Sequence, residues 1–129
     1  MSDAVAIDLP LEPASARRAR EQLEPFREAL DEIAFFDLRL LVSELIVEAL
    51  NAESETDNAK VGLRAEFHDG RVRVEVAESD GAFRLPSRRP EPGEAGWGLY
   101  LVGRLSSRWG LRRGPESSSV WLEVPATGP

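Results

Sequence analysis

The spacing of apolar positions changes period several times along the chain, and each change marks an element. Ala4-Val5-Ala6-Ile7-Asp8-Leu9-Pro10 alternates briefly and stops at proline, which predicts a short first strand. Leu23, Phe26, Ala29 and Leu30 form an apolar stripe on a helix over about 16–30, with Ser15 as its cap. Pro25 predicts a kink or break inside that helix. A second helix is expected over about 35–52, with Leu38, Leu41, Val42, Leu45 and Ala49 as its core stripe. Leu40, Val47 and Leu50 lie on roughly the opposite side, so burial on both sides is expected, with Glu44, Glu48 and Asn51 as a narrow polar seam. Asp31 and Glu32 fall in the turn before it.

After a polar connection, residues 61–67 and 72–76 both alternate apolar with polar. His68-Asp69-Gly70 between them signals a hairpin. Residues 79–95 are rich in Pro, Gly, Arg and Glu and have no period, and a long irregular segment inside a small domain usually acts as a functional loop or lid. Gly96-Trp97-Gly98-Leu99-Tyr100-Leu101-Val102 opens a third helix expected to end near Trp109-Gly110. Two last strands, about 111–113 and 119–124, are joined through Gly114 and Pro115. This order predicts an α+β two-layer sandwich: a mixed, mostly antiparallel sheet with helices on one face.

Composition narrows the classes. The 129 residues suit one domain spanning 1–129, and 42% hydrophobic content suits a packed core. A net charge of -7 argues against direct nucleic-acid binding. Without cysteine, and with His68 as the only histidine, thiolate and multi-histidine metal sites are excluded. No apolar run approaches the ~20 residues of a membrane span, and the start lacks the regions of a signal peptide, so a cytoplasmic protein is expected.

Two features carry candidate chemistry. Glu44 and Glu48 stand four residues apart in an otherwise apolar helix, where a bare like-charge pair costs about 0.2–0.5 kcal/mol. A cation, a catalytic proton or solvent are three possible reasons for them. Gly96-x-Gly98 begins a helix after the lid, where free N–H groups and the helix dipole favour an anion. Alone that pair reads first as a flexible loop meeting a helix start, and its position after the lid is what favours the anion reading.

The order of these pieces adds information. Ser43-Glu44-Leu45 and Ala49, a hairpin ending in Val74, Val76, Glu78 or Asp80 and Gly81, the lid, Gly96 to Val102, Arg108-Trp109-Gly110 and Val120-Trp121 occur in sequence. Together they resemble the histidine-kinase-like (GHKL) ATPase family, with its Bergerat-type ATP-binding fold. The likeness is greatest to its small bacterial anti-sigma-factor serine/threonine kinases, and it covers about 13–124. The resemblance implies Glu44 as the general base that takes a proton from an attacking hydroxyl. It implies Gly96, Gly98 and Leu99 as the phosphate-facing glycine box, residues 79–95 as the ATP lid, and Arg84, Arg88 and Arg89 as cations available to phosphate. Glu78, or Asp80 by a register shift, with Gly81, would face the adenine. Glu48 stands where the family has a Mg²⁺-ligating asparagine.

The chain departs from the family at several of these places. Glu48 is a hard ligand suited to Mg²⁺, yet it sets a full negative charge beside a triphosphate, worth ~4 kcal/mol at ~4 Å and an effective dielectric of 20. Asn51 sits about one turn, roughly 5 Å, from that ligand position. Glu78 is one methylene longer than the aspartate expected, Ala52 replaces a basic residue, and Ser118-Ser119 replaces a Gly-Lys pair. Trp97 is expected to cover the nucleotide or pack on the lid, Trp109 and Trp121 to be core or interface aromatics, and His68 to be an exposed turn residue. Two functions follow as expectations. One is an ATP- and Mg²⁺-dependent anti-sigma-factor-like kinase acting on a sigma factor or a small antagonist protein. The other is an interaction module that has lost nucleotide chemistry. The resemblance further implies a homodimer, and no membrane or nucleic-acid partner is expected.

Overall fold

The computed structural model describes residues 4–51, 59–79, 83, 85–94, 96–115 and 117–127; of Asn51 only the backbone is described. Strand β1 is Ala4–Pro10, helix α1 Ala14–Gln22, helix α2 Glu32–Asn51, β2 Lys60–His68, β3 Arg71–Glu78, helix α3 Trp97–Leu105, β4 Arg108–Arg113 and β5 Ser118–Pro125. The strands form one sheet in the order β1-β2-β3-β5-β4. Every pairing is antiparallel, so the expected mixture of directions resolves to a purely antiparallel sheet.

Strand alternation decides the two layers. Val61, Leu63 and Ala65 of β2, Val72, Val74 and Val76 of β3, and Val120, Leu122 and Val124 of β5 are buried in one core with the helices. Arg64, Glu66, Arg73 and Glu75 fall on the opposite, more exposed face. The β2–β3 hairpin turns on Asp69 (φ 51°) and Gly70 (φ 77°), two successive left-handed residues that match the strands' twist, as Asp-Gly predicted. His68 is exposed beside Asp69, Nε2 to Oδ2 3.1 Å.

Helix α2 packs against α1, α3, β3 and β5. Leu38, Leu41, Val42, Leu45, Ile46 and Ala49 are buried. The expected second buried side is only partial, because Leu40 and Leu50 are half-buried and Val47 is exposed. Asp31 begins the helix: its Oδ1 accepts the Ala34 N–H at 2.7 Å, a side-chain cap where a turn was expected.

Several boundaries differ from the sequence expectation, α2 beginning at Glu32 rather than near 35 and β4 at Arg108 rather than near 111. The first helix ends at Gln22, and Glu24–Phe26 forms a separate 3-10 turn carrying Pro25, which breaks the helix rather than kinking it. Ser15 does not cap α1. It lies inside the helix, fully buried, and its hydroxyl donates to the Pro10 carbonyl. Helix α3 stops at Leu105, four residues before Trp109. The Ser106 backbone N–H closes on the Val102 carbonyl at 3.1 Å, Ser106 turns to extended backbone, and Trp109 and Gly110 belong to β4.

Candidate functional site

The polar seam of α2 meets the start of α3. Glu48 is half-buried, and its Oε1 accepts the Gly96 N–H at 2.6 Å and the Gly98 N–H at 3.2 Å. The first N–H groups of a helix have no partner inside it, and here the acceptor comes from a different helix. The carboxylate also stands at the positive end of the α3 dipole. The Glu44–Glu48 repulsion anticipated from spacing is thereby offset, since hydrogen bonds to a charged group contribute about 1.5–3 kcal/mol each.

Glycine is required at both positions, for different reasons. Gly96 adopts φ 102°, ψ -3°, a left-handed conformation costly for other residues. Gly98 is needed for proximity: a Cβ there would lie 2.6 Å from Glu48 Cγ and 3.0 Å from the Glu44 carbonyl oxygen. Glu44 is half-buried beside this crossing, and its carboxylate has no hydrogen-bond or ion-pair partner among the described residues. Next to it, Ser43 Oγ accepts Arg20 Nη1 at 3.0 Å, which ties α1 to α2. The Leu99 side chain points into the core, 2% exposed.

The second half of the site lies where β3 ends. Glu78 continues the inward-facing series of Val72, Val74 and Val76 and is 5% exposed. Strand register places Ser118 of β5 directly opposite. The Ser118 hydroxyl donates to Glu78 Oε1 and accepts the Phe83 N–H at 3.0 Å. Phe83 is fully buried, so this chain of bonds anchors the entry to the irregular segment. In the sequence Ser118 stands out only as half of the Ser118-Ser119 pair that replaces Gly-Lys, because its bond to Glu78 depends on cross-strand register. Asp80, Gly81, Arg84 and Ala95 lie outside the described residues.

The remainder of that segment is bound to α3 by its own contacts. Trp97 Nε1 donates to the Glu91 carbonyl at 3.1 Å, and the Trp97 ring meets Tyr100 edge-on at 5.7 Å. Pro90 is buried, and Pro86 and Pro90 approach to 3.4 and 3.5 Å of the position a Gly96 Cβ would take. Arg88 makes two 3.0 Å bonds to the Glu94 carboxylate, whose Oε1 also accepts the Glu91 N–H at 2.7 Å. The Arg88 guanidinium first, and the Glu91 N–H second, hold the Glu94 carboxyl below the usual carboxylate range. Arg88 is thus paired inside the segment rather than left for phosphate, and Arg89 lies 5.8 Å from the Trp97 ring centre.

These residues do not fit a Mg²⁺-bound triphosphate at the α3 start. Both N–H donors already serve Glu48, and that occupant carries the same sign of charge as phosphate. An oxygen bonded to two N–H groups is arranged as an anion in a helix-end cradle, not as a ligand in a cation cage. No group of three or more metal-capable His, Asp or Glu side chains occurs among the described residues, and none of their helices is long and apolar enough to cross a membrane.

Comparison with solved structures returns the same fold. The chain is similar to the histidine kinase domain of the Erythrobacter litoralis EL346 blue-light-activated histidine kinase, with TM-score 0.56, 24% identity and 91% of this chain covered. It spans 61% of that chain's length. It is also similar to the catalytic domain of histidine kinase ThkA in a nucleotide-free form, with TM-score 0.53, 17% identity, and 95% of this chain and 97% of that one covered. No curated protein matches. The model of the histidine kinase-like ATPase domain matches residues 9–124, nearly the whole of the packed sheet and helices, and the chain therefore belongs to the histidine kinase-like ATPase domain family.

Proposed function

We propose that this chain is a regulatory domain of the anti-sigma-factor-like, partner-switching kind that acts by binding a protein partner and does not use ATP. A sigma factor or a small antagonist protein is the class of partner that the family resemblance favours. The carrying observation is the Glu48 carboxylate on the Gly96 and Gly98 N–H groups. The donors through which a family member would hold phosphate are satisfied by the chain itself, and the engagement of Glu78 by Ser118 points the same way at the adenine end.

The test is thermal unfolding of the whole chain with Mg-ATP, with ATP plus chelator, and with neither. A ligand at 100 times its Kd stabilises by ~2.7 kcal/mol, which is readily seen. Superimposable curves are expected. A clear upward shift at millimolar Mg-ATP refutes the proposal.

One observation favours a second reading, an ATP-dependent serine/threonine kinase. Glu44, the residue the resemblance implies as general base, lies beside the α3 start and is engaged by no other described group. That reading requires Glu48 to leave the cradle. It predicts that Mg-ATP stabilises the wild type, and that Glu44→Ala still binds nucleotide but no longer phosphorylates the partner.

A further inference from the structure

The influence of Glu48 extends beyond one helix end. Gly96, held by the carboxylate, faces Pro86 and Pro90, whose side chains stand 3.4 and 3.5 Å from where a Cβ on it would lie, and the Trp97 indole beside it donates to the Glu91 carbonyl. Glu94 then binds both the Glu91 N–H and Arg88. A continuous set of contacts therefore runs from a side chain of α2, through the first turn of α3, into residues 85–94.

We propose that the Glu48 carboxylate is a built-in anion that organises residues 85–94 on α3, and that removing it opens a site for a small inorganic or carboxylate anion. This deepens the nucleotide-independent reading and rests on it. The physical basis is the unpaired state of a helix's first N–H groups. Some acceptor has to serve Gly96 and Gly98, and the only one supplied among the described residues is Glu48.

Amide hydrogen exchange on the full chain tests this without any ligand. In the wild type, the Gly96 and Gly98 amides and the Trp97 indole are expected to be protected, despite sitting at a helix start. In Glu48→Ala their exchange should accelerate by about tenfold or more, the scale of one lost charge-assisted hydrogen bond. Formate or inorganic phosphate should then restore protection and raise the melting temperature of Glu48→Ala while leaving the wild type unchanged. Unprotected Gly96 and Gly98 amides in the wild type overturn the proposal. So does Glu48→Ala with wild-type protection, and loss of protection without rescue by either anion overturns the anion site. If Glu48→Ala does not fold, the wild-type exchange rates still decide the matter, and Glu48→Asp, which retracts the carboxylate by one methylene, supplies the comparison. A Mg-ATP shift in the wild type would sink the functional reading while leaving the ligand-free exchange result standing, so the two failures are distinguishable.

Discussion

Gly98→Ala is the most direct probe of the crossing between α2 and α3. In an ordinary exposed helix interior this change is favourable by about 0.8–1.0 kcal/mol, because alanine is the better helix former. Here the new methyl would sit 2.6 Å from Glu48 Cγ and 3.0 Å from the Glu44 carbonyl oxygen. Glu48 can swing aside, but only by giving up its bonds to Gly96 and Gly98. The Glu44 oxygen is backbone of α2 and can move only with that helix. Overpacking of this kind costs about 1–3 kcal/mol, and loss of one charge-assisted bond adds about 1.5–3 kcal/mol. After subtracting the propensity gain, a net loss of about 1.5–5 kcal/mol is expected. For a chain of this size, at roughly 3–5 °C per kcal/mol, that is a melting-temperature drop of about 5–25 °C. Urea and thermal unfolding followed by circular dichroism measure it. Adding Glu48→Ala to Gly98→Ala should give a double variant less damaged than the two single losses summed, because they share one contact. If Gly98→Ala is as stable as the wild type, or more so, the close crossing and the reasoning built on it are wrong.

Two further outcomes follow from buried polar groups. Ser118→Ala removes the acceptor of the Phe83 N–H and a donor to buried Glu78, and should cost about 1–3 kcal/mol in urea unfolding. Asp37 has its carboxyl pushed up by partial burial first and by the nearby Asp31 charge second. With a folded-state pKa above the unfolded one, the folded protein holds this proton more tightly, so stability declines as pH rises from the unfolded value through the folded one. Asp37→Asn should therefore raise the melting temperature at pH near 7 and make little difference well below the usual carboxylate range; equal effects at both would refute the assignment.

Much of the fold was legible because local chemistry and global packing agree. The β2–β3 hairpin is the plainest case: alternating valines on both sides of Asp69-Gly70 leave one register that buries them all. The end of α3 is hidden in the sequence because Leu101, Leu105 and Trp109 continue an i, i+4 apolar series past the stop at Leu105. What moves Trp109 and Gly110 into a strand is distant in sequence. Gly110 pairs with Trp121, and a Cβ at Gly110 would come within 2.4 Å of the Trp121 indole nitrogen, a steric demand only the folded sheet reveals. The site divided similarly. The sequence marks Glu48 as a negative charge beside the triphosphate and Gly96-x-Gly98 as the helix start facing it, but does not join the carboxylate itself to that helix start. A carboxylate lacking a cation and a helix start lacking an anion were complementary signals that could have been joined. That Ser118 faces Glu78 depends on β3–β5 register, which no local pattern encodes.

The strand order carries a consequence for how the molecule is made. Strand β5 comes after every other element described, yet it lies inside the sheet, paired to β3 on one side and to β4 on the other. Until residues 118–125 have emerged during synthesis, β3 presents an open edge of unpaired backbone groups and β4 has no sheet to join. The β1–β2–β3 meander can assemble early from near neighbours, but the Glu78–Ser118 bond must wait for β5. A nascent or truncated chain lacking β5 thus carries an exposed, valine-rich edge of the kind that recruits other strands, and β5 is the strand that seals it.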